Sequence, residues 1–141
     1  MYGVLEGEAH YLLQKRAEEG GIEKITDVIV VKARKGDKVI IPPNYGHVTI
    51  NPSKATLKMA NWVARTFSSI YEPIERRKGA AYFELTNGEF IKNEEYGDVP
   101  AIRFLEPEET WPLELSKALY DLLQEPEKLA FLTRPEEWFK S

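Results

Sequence analysis

Apolar and polar side chains alternate through residues 2–6 and again through 9–16, with Gly7 and Glu8 at the break. A period of two predicts two strands joined in a hairpin-like turn. Residues 17–23 carry charges and the Gly20, Gly21 pair and read as a loop, after which 25–33 is a β-branched run ending in the turn signal Lys35, Gly36, Asp37. Strand-like pieces continue at 39–41, 48–50 and 56–64, broken by Pro42 and Pro43 and by Asn51, Pro52 and Ser53. So many short strands at close spacing predict a sandwich or barrel. A polar stretch, 65–78, leads into two further strands at 80–85 and 89–92 around Asn87 and Gly88, a strong hairpin signal. From Leu113 the period changes: Leu115, Leu119, Leu122 and Leu123 recur at helical spacing behind Pro112, Pro126 begins a second short helix through Leu132, and 135–139 a third turn. One domain is expected, with a β-barrel over 1–104 and a helical extension over 112–141 that covers the outside of the barrel or packs on a partner subunit.

Composition narrows the function classes. A chain of 141 residues, 43% hydrophobic, is long enough for one real core. Its 23 acidic and 19 basic residues, net charge −4, are interleaved without a basic block, which argues against nucleic acid as a partner. Zero Cys removes disulfides, thiolate nucleophiles and Cys-ligated metal sites and fits a reducing compartment. Abundant charge with no Cys and two Met also matches the composition of heat-adapted proteins. The start MYGVLEGEAHYLL lacks a basic leader and already alternates, so it reads as neither signal peptide nor membrane span. A cytoplasmic protein without a membrane partner is expected.

Candidate chemistry gathers at His47. From Gly36 the chain runs five residues to Pro42, then five positions to His47 and four to Asn51. Gly36 turns the chain, Pro42 and Pro43 stiffen a bend, and Tyr45 and Gly46 precede a strand whose His47 points its imidazole inward. A neutral inward imidazole suits Zn, Fe, Ni or Mn. The plainer alternative is one buried, hydrogen-bonded histidine. This spacing resembles the second conserved motif of the cupins, with Asn44 where the family often has Gly, a residue that also tolerates left-handed geometry. The resemblance implies an all-β, cupin-like β-barrel (a double-stranded β-helix or jelly roll) with short C-terminal helices.

Within the cupins the chain resembles the cupin-type glucose-6-phosphate isomerases, through YGVLEGEAHYLLQ at 2–14 and GDKVIIPPNYGHVTIN at 36–51. That family's first motif is His-x-His and, a few residues on, a Glu, with a Tyr two and a Gly seven places after the Glu. Tyr2 and Gly7 match the last two, so the Glu and both His would precede Met1, and an upstream start is expected. The likeness continues weakly through Trp62, Tyr71, Gly79 to Tyr82 and Asn93 to Tyr96. Val63 and Ser69 stand where the family carries an active-site Tyr and His, so those groups do not carry over. The resemblance implies a divalent metal, Fe, Ni, Mn or Zn, with His47 as one ligand; a chain lacking the other three leaves a metal-free protein as the alternative.

Other residues allow two readings each. Tyr2, beside the absent Glu, is a candidate catalytic residue orienting a substrate hydroxyl, or packs with its hydroxyl at the rim. Alternation puts Thr49 and Asn51 on the face of His47, and Met59, Asn61 and Val63 on one side of a later strand. Thr49 and Asn61 are thus candidates for substrate binding, although a buried Asn more often pairs with backbone. His10 reads as an exposed or rim histidine. Arg76, Arg77 and Lys78 attract phosphate or form a solvated face. Trp111, Phe131, Trp138 and Phe139 form an apolar patch for a second subunit, and a homodimer is expected. Two functions remain open: isomerisation of glucose 6-phosphate and fructose 6-phosphate, with a sugar phosphate as partner, or a metal-poor cupin acting as a sugar-binding, structural or regulatory module.

Overall fold

A computed structural model describes residues 1–65, 72–111, 122 and 124–139. The fold is all-β and cupin-like. One sheet has the order β4-β1-β6, from Lys38–Val39, Tyr2–Glu6 and Lys58–Asn61. The other has the order β5-β2-β3-β9, from Tyr45–Ile50, Glu8–Glu19, Ile22–Arg34 and Arg103–Leu105. A third pair, β7 (Tyr82–Glu84) and β8 (Phe90–Lys92), forms the expected hairpin, with Gly88 at φ +88° in its turn. Among the described residues the two larger sheets enclose a shared core without closing into a barrel.

The hairpin expected between the first two strands is not there. β1 pairs with β4 and β6, and β2 pairs with β3 and β5, so Gly7 is a corner between sheets. Its φ is +84°, and a Cβ there would lie 2.5 Å from the Thr56 carbonyl oxygen, so only glycine fits this corner. The true hairpin is β2–β3: Gly20 and Gly21, at φ +59° and +78°, make the two-residue turn that a loop assignment at 17–23 overlooks. Some elements were not anticipated, among them a 3-10 helix at Pro107–Thr110. β9 pairs in parallel with β3, and α1, Glu72–Arg76, lies inside the polar stretch with Pro73 in its first turn.

Three apolar clusters account for the packing. Between the sheets, Val4, Tyr11, Leu13, Ile29, Val31 and Val39 are buried. On the other face of β2 and β3, Leu12, Val28 and Val30 pack under Ala80, Ala81 and Tyr96. The central strand β2 is therefore buried on both faces, which explains its unbroken apolar run from Tyr11 to Leu13. The third cluster lies against the β4-β1-β6 sheet, where Met1 and Ile40 meet Leu122 and Phe131, with Trp111 and Phe139 partly buried beside them. The 3-10 helix Pro126–Leu132 packs into this cluster through Leu129, Phe131 and Leu132, and a second 3-10 turn, Pro135–Glu137, precedes Phe139. The leucine stripe at Leu115, Leu119 and Leu123 lies outside the described residues. No helix among the described residues is long and apolar enough to cross a membrane.

Candidate active site

The sequence bend before β5 places His47. Asn44 takes φ +69°, the left-handed conformation expected of it, and the Tyr45 amide donates to the Pro42 carbonyl at 3.4 Å. In the β2–β5 ladder His47 stands opposite Leu13 and Thr49 opposite Tyr11. Leu13 and Tyr11 belong to the core between the sheets, and directly opposed residues share a face, so His47 and Thr49 point inward. From the facing sheet Tyr2 stands opposite Asn61. The Tyr2 hydroxyl and His47 Nε2 lie 2.8 Å apart, with the rings edge to face at 5.2 Å. A second tyrosine, Tyr11, packs against Tyr2 and donates to Met59 Sδ at 3.2 Å.

This pair divides two cavities. The larger, about 350 Å³, runs from Tyr2, His47 and Asn61 to Phe131, Leu132 and Phe139 of the tail. The smaller, about 310 Å³, is lined by Tyr2, His47, Val48, Thr49, Ile74 and Glu75. Burial, reinforced by the nearby Met1 amine, holds the His47 imidazole below its ordinary range, so it is neutral at pH 7. The Met1 amine donates to the Trp62 carbonyl at 2.9 Å, and burial lowers it to about 5. At the start of β5, Tyr45 donates to Asp27 at 2.6 Å while Arg103 grips the same carboxylate with two bonds of 2.9 and 2.6 Å. Burial and that carboxylate push the Tyr45 hydroxyl up to about 12, and Arg103 holds Asp27 below its usual value. The trio ties β3, β5 and β9 together at the bend that aims His47.

A family model, glucose-6-phosphate isomerase (GPI), matches residues 1–101. The chain belongs to the cupin-type glucose-6-phosphate isomerase family. The matched span contains β1 to β8, and with them Tyr2, His47, Thr49, Asn61 and Glu75. Searches of curated proteins and of solved structures found no match.

The divalent metal that membership in this family implies does not fit the donors at hand. Among the described residues no three of His, Cys, Asp or Glu group as a metal site, and His47 Nε2 is already engaged by Tyr2. His10 cannot help, because it lies on the opposite face of β2. It is not the exposed or rim residue expected from sequence: it is 5% exposed, with Nδ1 2.8 Å from both oxygens of Glu84 and Nε2 3.0 Å from Glu8. Its main partner is 74 residues away on β7, which alternation within β2 cannot reveal.

Of the remaining candidates, Tyr2, His47 and Asn61 line one cavity together, and Thr49 lines the other with Tyr2 and His47. Asn51 leaves the face of His47: past the end of β5 its side chain donates to the Ala55 carbonyl and accepts from the Ser53 amide. Arg77 donates to the Glu95 carbonyl and stacks on Tyr96, and Lys78 pairs with Glu95, so two of the three basic residues are held away from the cavities. Asn93 is structural, tying the Arg77 and Ala80 carbonyls. Val63 lines the larger cavity, while Ser69 and Tyr71 lie outside the described residues. Sequence reading missed Ile74 and Glu75; the signal available was Pro73, which permits a helix start inside a stretch read as polar loop.

Proposed function

We propose that this chain carries its family's reaction, the interconversion of glucose 6-phosphate and fructose 6-phosphate, at the smaller cleft beside Tyr2 and His47. The observation that carries the reading is the Tyr2–His47 pair, 2.8 Å apart, in a cleft also lined by a carboxylate. Aldose–ketose isomerisation moves one proton between C2 and C1 through an enediol and a second from the hydroxyl oxygen of one carbon to the carbonyl oxygen of the other, so that the carbonyl shifts. A hydrogen bond from the tyrosine–imidazole pair stabilises the charge gathering on the carbonyl oxygen. Thr49 meets a sugar hydroxyl in the same cleft, whereas Asn61 lines the larger cavity. Glu75 takes the proton from one carbon and returns it to the other, as a general base and then acid. No step is routed through a metal, since the described donors do not assemble a site for one.

A coupled assay of fructose 6-phosphate conversion, run without metal and with Fe, Ni, Mn or Zn added, tests the reading. Turnover that falls by about 10²–10⁴ in Glu75→Gln, with KM little changed, is expected for a lost acid–base group. Absence of turnover in the wild type under every condition defeats it. That no three ligands group among the described residues supports one second reading, a sugar-phosphate-binding module, and calorimetric binding of glucose 6-phosphate without turnover is its signature.

A further inference from the structure

The larger cavity is poorly matched to a sugar phosphate. Its described lining holds no Arg, Lys, Asp or Glu. Phosphate recognition calls for cations or converging amides, and a hexose laid against Phe131, Leu132 and Phe139 would lose hydrogen bonds that those side chains do not replace. The described lining sets a few polar groups against a larger apolar surface. Tyr2, His47 and Asn61 offer a hydroxyl, an imidazole and an amide, and the tail supplies an aromatic and aliphatic wall. At about 350 Å³ the cavity falls in the range of organic-ligand pockets, roughly 300–1,000 Å³.

We propose that this cavity binds a neutral amphiphilic small molecule, with a hydroxyl or carbonyl head on Tyr2, His47 and Asn61 and a cyclic or aromatic body against the C-terminal tail. The site is distinct from the sugar-phosphate cleft, but Tyr2, His47 and Ile74 line both. Occupancy of one is therefore felt at the other through the shared wall. The C-terminal tail acquires a role by the same argument. Met1, which leads into β1, and the tail residue Phe131 share one apolar cluster and both line the cavity, so the tail forms part of the wall against which the ligand body rests.

The test uses 2-naphthol as probe, with 2-naphthoate as its anionic counterpart, titrated into the full chain by calorimetry at pH 7. Expected is saturable binding of 2-naphthol at one site per chain, with 2-naphthoate at least tenfold weaker. Leu132→Trp from the tail and Ile74→Trp from α1 each fill the cavity, and either one that keeps the wild-type melting temperature and circular dichroism is expected to weaken 2-naphthol at least tenfold. Asn61→Ala is expected to weaken it several-fold by removing part of the polar end. No saturable binding, equal binding of the anion, or unchanged affinity in a folded filling variant overturns the proposal. The isomerase assay on the same preparations keeps the two readings apart. Naphthol binding without turnover defeats only the catalytic one, and turnover without naphthol binding defeats only this one.

Discussion

The two histidines of this chain lie on opposite faces of one sheet and have opposite surroundings. His10 is buried with both ring nitrogens against carboxylates, and its partner Glu84 anchors the β7–β8 hairpin to the sheet. Among the described residues His47 has a phenolic partner, Tyr2, two cavities beside it and a buried amine nearby, and the Glu75 carboxylate lines one of those cavities without bonding to it. A saturated buried histidine holds structure; one with a single exchangeable partner at a cavity wall is available for chemistry. Residue type is the same for the two, and what separates them is that His10 is buried against carboxylates while His47 is only partly buried at a cavity wall.

The largest effect expected from this contrast is on stability. His10→Ala leaves the Glu84 carboxylate, 7% exposed, without its closest partner, and should cost about 3–5 kcal/mol in urea denaturation. His47→Ala should cost about 1 kcal/mol, since it removes one hydrogen bond beside an existing cavity, while abolishing turnover. Equal losses from the two substitutions would erase the distinction.

Next comes pH. The Met1 amine and the His47 imidazole both hold protons less readily in the folded chain than in the unfolded one. The unfolded state therefore binds more protons as pH falls, and stability declines with it. For the amine the decline begins near 8 and ends near 5; the histidine adds to it below its ordinary value of 6.5. The combined loss should be about 2–4 kcal/mol between pH 8 and 5, read from urea midpoints across that window. His47→Gln should remove only the part below 6.5, and a curve flat from pH 8 to 5 would contradict the burial of both groups.

Smaller effects sharpen the active face. Tyr2→Phe deletes the hydroxyl that engages His47 and should lower kcat about tenfold, or about 1.4 kcal/mol. Thr49→Val should raise KM for fructose 6-phosphate by a few-fold and leave kcat alone. A Thr49 effect as large as that of Tyr2 would move the reacting carbons toward β5.

Local rules made much of this legible. Alternation found the strands, the Asn87 and Gly88 turn found the β7–β8 hairpin, and the proline-stiffened bend found an inward His47 beside Thr49. What escaped depends on pairing between distant segments. Gly7 and the Gly20, Gly21 pair look alike as punctuation, yet one turns a corner between sheets and the other closes a hairpin, and only the partners of the flanking strands tell them apart. β9 is three residues long and pairs far from its sequence neighbours. Glu75 was hidden because its helix is a single short turn set in charged surroundings.

The parallel pairing of β9 onto β3, locked by Arg103 on Asp27 across 76 residues, carries a kinetic consequence. Such a contact must close a long loop before it gains anything, so it belongs to the last stage of refolding. The β2–β3 hairpin, turned by two adjacent glycines, is built to zip early. Because Asp27 also holds Tyr45, the bend that aims His47 settles only when that late strand arrives, and competence at the histidine should lag behind the recovery of β-structure.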